Sequence, residues 1–246
     1  MRTCKSFFAI LLLLTGVAAT AQTKMVDHFT KVIVSPYIQV TFVEGDEERV
    51  TINNITVDES KLHIEVNDKT LRVYLEGVKD TPKYEKDYSN GHEASHPLYQ
   101  NTTVVATITY KTLTDLSLRG EERQLCKSAI DVAKFTLRIY GEAEVTFNEL
   151  NAQQLETTIY GEAKLNLKAG VVKEQKYTCY GEAQINSLSI TGSSSRIITH
   201  GNADLKLNVS DRIRITAFGD ARLHYKGNPE IVKGIHFGDM FIDKMD

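Results

Sequence analysis

The tetrapeptide Tyr-Gly-Glu-Ala occurs three times in this chain, beginning at Tyr140, Tyr160 and Tyr180, with a spacing of twenty residues each time. Looser copies extend the series in both directions, with spacings of 21, 20, 20, 20, 18 and 19 residues between their glycines. A period near twenty is the signature of a stacked repeat architecture. The glycines of the series are Gly120, Gly141, Gly161, Gly181, Gly201, Gly219 and Gly238.

The residues that follow each glycine alternate between small or apolar and polar side chains, which indicates a strand with one buried face. A second strand-like run, such as "QLETTIY" or "QKYTCY", ends at the residue before the glycine. The apolar positions, two, four and six residues after the glycine, are Ala143, Val145 and Phe147 in one repeat, Ala163, Leu165 and Leu167 in the next, and Ala183, Ile185 and Ser187 in the third.

A repeat of short strands that stacks on its own copies is one coil of a parallel β-helix. We therefore predict an all-β fold, a right-handed parallel β-helix (β-solenoid) with coils of about twenty residues. A sandwich or barrel of short strands is the alternative. It is less favoured, because such folds do not need the same tetrapeptide at the same phase of every turn.

The N-terminal part is less regular, as expected for the end of a solenoid. Short strand-like runs alternate with turn signals, and "VNDKTLRVYL" predicts a tight turn between two strands. Residues 79–103 are polar and break the pattern, so we predict a loop insertion there. Residues 22–246 are predicted to form a single domain that carries this insertion.

The first 21 residues have the pattern of a secretory signal peptide. Arg2 and Lys5 precede an apolar run that is short for a membrane span, and Ala19-Thr20-Ala21 fits a cleavage site. Cys4 precedes the apolar run, so it is not the lipid-bearing cysteine of a lipoprotein. We expect an exported protein, periplasmic, on the outer cell surface or secreted, with no transmembrane segment in the mature chain.

The mature chain has little net charge and two cysteines. Removing residues 1–21 takes the formal net charge from −3 to −5, and no basic run suggests a nucleic-acid partner. Cys126 and Cys179 have inward parity but belong to coils two to three apart, a separation of roughly 10–14 Å. A disulfide needs Cα atoms within about 7 Å, so we predict two buried free thiols.

Several segments together resemble a known family. "FTKVIVSPYIQVTFVEGDEERVTI", "LHIEVNDKTLRVYL", the glycine repeats and "LHYKGNPEI" followed by "FGD" are similar to the putative auto-transporter adhesin head GIN domain family, over about Val26 to Asp239. The resemblance implies an exported bacterial β-solenoid, often from Bacteroidota-like organisms, without established catalytic residues. This chain has alanine where the family repeat usually has a second glycine, which favours an ordinary strand at that position.

The aromatic residues before the glycines are candidates for ligand binding. If the strand runs straight through the glycine, these rings form an outward ladder that could bind sugar rings, although a ladder stabilised by its own ring contacts is the more favoured reading. The candidates are Tyr140, Tyr160, Tyr180, His200 and Phe218, with Phe237 at the end of the series.

The residues after the glycines form an acidic ladder that could attract calcium. Like charges about 4.8 Å apart repel by something like 1 kcal/mol per pair in water. Arg123, Lys164 and Arg222 could relieve this repulsion instead, together with solvent screening, and no calcium-binding repeat is present, so we expect no cofactor.

Two patterns raise the possibility of an enzyme. "HEASH", His92 to His96, matches the zinc protease motif, but Gly91 and Pro97 flank it and the chemistry needs a helix, so we expect no metal site there. Asp204, Lys206, Arg222 and Lys164 could form the charged face of a polysaccharide lyase or hydrolase, although a ladder of surface charges is the simpler reading.

The sequence therefore favours a non-enzymatic exported solenoid with an adhesin-like binding role or a scaffold role in the cell envelope. Its partner would be a glycan or another envelope protein. A carbohydrate-active enzyme on the same scaffold is the alternative.

Overall fold

The computed structural model describes residues 22–81, 84–89 and 92–245, and it is almost entirely β-structure. Strands account for 72% and helix for 1%, which confirms the predicted all-β class. The predicted signal peptide lies outside the described residues. Among the residues that are described, no helix has the length and apolar character needed to cross a membrane.

In the described part of the chain, short strands dominate the N-terminal half and long runs that turn corners dominate the C-terminal half. The only helical element there is a 3-10 turn at Glu59–Lys61. The strands are β1 (Gln22–Met25), β2 (Lys31–Val34), β3 (Ile38–Glu44), β4 (Arg49–Ile55), β5 (Leu62–Asn67), β6 (Thr70–Leu75), β7 (Tyr84–Ser89), β8 (His92–Pro97), β9 (Val104–Tyr110), β10 (Asp115–Arg119), β11 (Arg123–Cys126), β12 (Ile130–Tyr140), β13 (Glu144–Phe147), β14 (Leu150–Leu167), β15 (Gly170–His200), β16 (Ala203–Phe218), β17 (Ala221–Lys226), β18 (Glu230–Phe237) and β19 (Met240–Lys244).

The repeats stack as coils of a β-solenoid with about six turns, as the sequence predicts. In the parallel pairing of β14 with β15, Tyr160 lies opposite Tyr180 and Gly161 opposite Gly181. Each partner is thus the residue twenty positions further along the chain. The coil of β14 has three strand segments: a return face (residues 150–152), a pre-glycine face (154–160) and a post-glycine face (163–167).

The predicted apolar positions line the interior. The alanines after the glycines are at most 6% exposed, and the aliphatic residues two positions further on are at most 2% exposed. Ser187 also points inward, where its hydroxyl donates to the carbonyl of Lys206 at 3.3 Å and contacts the Tyr177 hydroxyl at 3.4 Å. The solenoid interior is therefore a packed core rather than a channel.

The N-terminal coils are stacked out of chain order. Strands β2 and β3 form one coil, which lies between the coil of β6 and β9 on one side and the coil of β10 and β11 on the other. Antiparallel β5 pairs with β6, and antiparallel β4 pairs with β9 and β1. This irregular end agrees with the expectation for a terminal repeat.

Both predicted irregularities at this end contain hairpins. Asp68 and Lys69 have φ values of 48° and 57° and connect β5 to β6, which confirms the predicted tight turn. The insertion is not only a loop, because β7 and β8 pair as an antiparallel two-stranded sheet. Asn90-Gly91 stands between these strands in the sequence and is the dipeptide most typical of a two-residue hairpin connection.

The two cysteines among the described residues, Cys126 and Cys179, are free and buried, as predicted. Cys126 is 0% exposed and Cys179 is 1% exposed. Burial raises the pKa of both thiols, and that of Cys179 reaches about 12. They therefore behave as small apolar core residues.

The corner between the pre-glycine and post-glycine faces requires glycine. The seven repeat glycines have φ between 104° and 125°, a region that other residues rarely adopt. A Cβ atom on Gly161 would lie 2.5 Å from the carbonyl oxygen of Gly141 in the preceding coil. Each glycine thus has two roles. It adopts the backbone conformation that its own corner requires, and it leaves room for the carbonyl group of the preceding coil.

Replacing one corner glycine should therefore be costly. We expect Gly161→Ala to lower the free energy of unfolding by about 3 kcal/mol or more, because backbone strain and a clash with a fixed carbonyl add together. Chemical denaturation followed by circular dichroism measures the change.

Gly45→Ala is the control, since Gly45 does not have the positive φ of the corner glycines and its Cβ would meet a side-chain methyl group of Thr109 rather than a backbone carbonyl. An equal loss of stability in the two variants would contradict the role of the corner.

Candidate functional site

The line of corner glycines forms a glycine ridge, which we define as Gly120 to Gly238 of the repeat series. Two columns of side chains run along it, one on each side. The aromatic column is Tyr140, Tyr160, Tyr180, His200, Phe218 and Phe237, and the acidic column is Glu121, Glu142, Glu162, Glu182, Asn202, Asp220 and Asp239.

The rings of the aromatic column stack on one another, as the repeat predicts. The ring centroids of Tyr160 and Tyr180 are 4.8 Å apart with planes 3° from parallel. The other pairs from Tyr140 to Phe218 have centroid distances of 4.9–5.1 Å and angles of 5–7°. The last pair, Phe218 and Phe237, is looser, at 5.9 Å and 25°.

This stacking limits what the column can bind. Each inner ring turns its faces to the neighbouring rings, so it offers mainly its edge to solvent. At the N-terminal end, the guanidinium carbon of Arg119 lies 5.5 Å from the Tyr140 ring centroid and covers that face. At the other end Phe237 is 66% exposed, so its outer face is the one that remains open.

The insertion emerges at the N-terminal end of the ridge. Val73 and Val104 in the outer coil lie opposite Val34 and Ile38 in the next coil, so the chain between β6 and β9 occupies the place of one corner. Asp80, near the start of the insertion, forms ion pairs with Arg72 and Arg119. These guanidinium groups lower the pKa of the Asp80 carboxyl group. Arg119 thus joins the insertion to the aromatic column.

A cleft of about 330 Å³ lies where the insertion meets the ridge, and we call it the ridge cleft. Tyr37, Tyr84 and Asn101 line it together with the carboxylates of Glu121 and Glu122. Tyr84 is 64% exposed and belongs to the insertion strand β7. Burial raises the pKa of Tyr37, and the nearby Tyr84, Glu121 and Glu122 raise it further. The cleft is therefore aromatic and electronegative.

Glu122 is the residue that gives this cleft its shape. It stands two residues after Gly120, where the following repeats have alanine, and is only 8% exposed. Its Oε1 accepts a hydrogen bond from the Tyr37 backbone N–H at 2.9 Å, and its Oε2 accepts one from the Glu121 N–H at 3.1 Å. Burial raises the Glu122 pKa although these hydrogen bonds oppose the shift.

A second buried polar residue completes this junction. Gln124 Oε1 accepts from the Val40 backbone N–H, and its Nε2 donates to the Ile38 carbonyl, both at 2.9 Å. Its amide takes the place of backbone pairing, since the register of β11 with β3 pairs only Leu125 with Thr41 and Cys126 with Phe42. Sequence reasoning missed both residues. Two features of the sequence could have indicated this junction. The spacing between Gly120 and Gly141 is 21 residues, and Glu122 occupies a position where the following repeats have alanine.

The acidic column is exposed and has few partners. Asn202 Nδ2 donates to Glu182 Oε1 at 3.4 Å, and Asp220 Oδ1 accepts from the Asp239 N–H at 3.0 Å. The expected relief by Arg123 is wrong, because Arg123 pairs with Glu144 at 3.1 Å. Within the described ranges, no three His, Cys, Asp or Glu side chains are arranged to hold a metal ion. Screening by the solvent is therefore the main effect that reduces the repulsion between the carboxylates of the acidic column.

The charged set proposed for an enzyme is only partly brought together. Asp204 lies opposite Arg222 on the next coil, two residues from Lys206, whereas Gln184 separates it from Lys164. Asp204 Oδ1 is buried without a hydrogen-bond partner in the described structure. The residue Asp204 lines two shallow clefts of about 270 and 200 Å³.

The "HEASH" segment lacks the helix that the zinc protease motif requires. Its backbone is strand β8, His92–Pro97, rather than the helix that the motif requires. The strand geometry separates residues four apart by about 13 Å along the chain. This agrees with the expectation from the flanking glycine and proline.

The aromatic column should contribute to stability. We expect Tyr160→Ala to lower the free energy of unfolding by about 1–3 kcal/mol, since two stacked ring pairs are lost at once. Thermal and chemical denaturation measure the change.

Tyr160→Phe is the control, because it keeps the ring and should stay within about 0.5 kcal/mol of the parent protein. A Tyr160→Ala variant that is fully stable, and that has lost affinity for a glycan bound by the parent, would instead assign the column to binding.

Several solved structures have a similar fold. A protein of Bacteroides fragilis described as a putative adhesin superposes with a TM-score of 0.72 at 17% identity, over 92% of this chain and 96% of the other. A putative adhesin of Parabacteroides merdae gives 0.62 at 17% identity, with coverages of 92% and 96%. A protein of Parabacteroides distasonis described as a putative lipid binding protein gives 0.63 at 17% identity, with 93% and 98%.

A search of curated proteins finds no match. The sequence profile of one family, described as putative auto-transporter adhesin, head GIN domain, matches residues 28–229. This span includes the N-terminal coils, the insertion and most of the glycine ridge. The chain therefore belongs to the putative auto-transporter adhesin, head GIN domain family.

Proposed function

We propose that this protein is a non-enzymatic, exported protein of the cell envelope with an adhesin-like binding role, and that its ligand occupies the ridge cleft. The family description and the adhesin descriptions of the similar structures support the adhesin-like role. A surface or extracellular location is consistent with that description. In this proposal the solenoid is a rigid scaffold, and a glycan or another envelope protein is the partner.

The observation that carries this proposal is the meeting of the insertion with the ridge. Loops on a rigid scaffold frequently carry binding residues. Here the insertion is tied to the scaffold by Asp80 and contributes Tyr84 to a cleft whose other side belongs to the ridge. The ion pairs of Asp80 anchor the start of the insertion, four residues before Tyr84, beside the ridge. Such anchoring lowers the entropic cost of binding.

The chemistry of the cleft favours a cationic group. Its lining offers two tyrosine rings and two carboxylates, and no lysine or arginine is among its described residues. A protonated amine can interact with a tyrosine face and pair with a carboxylate at the same time. We therefore propose that the ligand presents a positive charge, as an amino sugar does.

A lipid ligand fits these coils less well. One similar structure is described as a putative lipid binding protein, but side chains such as Val145 and Leu165 fill the interior here. The aromatic column is a secondary candidate for glycan contact, through its ring edges and the open face of Phe237.

The test uses a chitosan tetrasaccharide in a mildly acidic buffer, where its amines are protonated, and its fully N-acetylated counterpart in the same buffer. We expect the parent protein to bind the charged form more tightly in isothermal titration calorimetry. The double variant Tyr84→Ala/Glu121→Gln should weaken binding by about tenfold, through loss of one cation–π contact and one ion pair.

Glu162→Gln is the control, since it removes one charge from the same acidic column outside the cleft. Equal affinity for the acetylated and charged forms would contradict recognition of a cation. Binding that is equally weak in parent and double variant would exclude the ridge cleft as the site.

Asp204 Oδ1 is buried and has no hydrogen-bond partner among the described residues. The enzyme alternative is therefore tested at this residue. We expect no release of reducing ends or unsaturated products from a panel of neutral and acidic polysaccharides. Turnover by the parent protein that disappears in Asp204→Asn would establish a carbohydrate-active enzyme and overturn the non-enzymatic proposal.

A further inference from the structure

A second cleft, of about 310 Å³, lies on the pre-glycine face, near its boundary with the return face. We call it the basic groove. It extends across four successive coils, from Leu155 and Glu156 in β14 to Arg212 and Arg214 in β16. It shares no lining residue with the ridge cleft.

A small residue creates the depression. Ser194 lies opposite Arg212 of the next coil. One coil earlier, at the twenty-residue period, stands the larger Glu174. The groove is therefore a gap in one outward-facing column of otherwise long side chains.

The interior beneath the groove offers no group to a ligand. Gln175 and Ser195 have the inward parity of the core residue Tyr177, and Gln175 Oε1 accepts a hydrogen bond from the Tyr177 hydroxyl at 2.9 Å. Ligand contacts in the groove would therefore come from its outward-facing side chains.

The rim carries three cations on consecutive coils. Lys176, Arg196 and Arg214 occupy one column at the twenty-residue period, and Arg196 lies directly opposite Arg214. All three are exposed, and none forms an ion pair or hydrogen bond in the described part of the chain. At a strand spacing of about 4.8 Å, these like charges repel one another.

Two of the three acidic groups around the groove are ion-paired. Glu156 binds Lys134 at 2.9 Å, and Glu230 pairs with Arg212, the fourth cation of the groove, at 2.7 Å. The Glu174 carboxylate accepts a hydrogen bond from the neutral Gln154 amide at 3.0 Å and keeps its charge. Three cations without ion pairs against this one carboxylate leave the groove positively charged, and Lys176, after the hydrogen bond from Lys134, also lowers the pKa of Glu156.

We propose that the basic groove binds a linear acidic polysaccharide whose sulfate or carboxylate groups repeat along the chain. One cation per coil makes a line of charge parallel to the solenoid axis, which matches a polyanion better than the plane of a bilayer. The outward-facing Ser194 would offer its hydroxyl group to the sugar. None of the described lining residues is aromatic, so the groove has no platform for stacking nucleic-acid bases.

The test measures binding of a sulfated heparin hexasaccharide at low and at physiological salt. We expect binding that weakens as salt increases, because exposed charges are screened. The double variant Arg196→Gln/Arg214→Gln should bind about tenfold more weakly, through loss of two charge-assisted contacts. Both residues are exposed, so the melting temperature should stay the same.

The matched control is Lys164→Gln/Arg222→Gln, which removes the same charge from the exposed post-glycine face. An equal loss of affinity in this control would show that binding depends only on the net charge of the protein, and it would overturn the proposal. Equal or tighter binding of a single-stranded DNA of similar charge, or of anionic phospholipid vesicles, would overturn it as well. So would a parent protein that binds neither the heparin hexasaccharide nor an oligouronate.

The same measurements on the Tyr84→Ala/Glu121→Gln variant separate this site from the ridge cleft. This variant should keep full affinity for the hexasaccharide, because its substitutions lie outside the groove. Loss of hexasaccharide affinity there would show that the two sites are not independent, and would contradict the assignment to the basic groove.

Discussion

The stacking of one glycine corner on the next is the interaction on which the rest of this solenoid depends. At Gly141, Gly161, Gly181, Gly201 and Gly219, a Cβ atom would lie 2.4–2.6 Å from the carbonyl oxygen of the preceding corner. No side chain fits that space, so the backbone can approach only where each repeat places glycine. Once the corners are stacked, the register of the strands on both sides is fixed, because a strand cannot slip without moving its glycine.

Because of this constraint, equivalent residues of successive repeats stack into a column. A side chain within a column offers a ligand different contacts from the same side chain alone. Tyr160 alone would offer two ring faces to a ligand, but between Tyr140 and Tyr180 it offers an edge. Arg196 alone would be an ordinary surface charge, but beside Lys176 and Arg214 it belongs to an unpaired line of charge. Stacking therefore makes the aromatic column less suited to ligand binding and the basic groove more suited to it.

The regular coils could be predicted because their repeat places each residue beside its own copy. The interior columns, the buried thiols of Cys126 and Cys179 and the ring stack all follow from that one period. The N-terminal end could not be predicted in the same way, because placing the coil of β2 and β3 between two later coils depends on pairings of distant segments. Glu122 and Gln124 were also missed, since each satisfies a single break in backbone pairing that has no counterpart elsewhere in the repeat.

Both proposed sites adjoin a coil whose length departs from twenty residues. The ridge cleft begins at the coil from Gly120 to Gly141, whose spacing is 21, and the basic groove reaches the coil from Gly201 to Gly219, whose spacing is 18. In the shortened coil the register of β15 with β16 shifts between Ser187 and Ser194, so the columns on either side do not continue evenly. Identical coils would give flat faces with no concave surface for a ligand. Insertions and deletions within the repeat can create clefts at little cost to the core, because the glycine corners on either side preserve the stack.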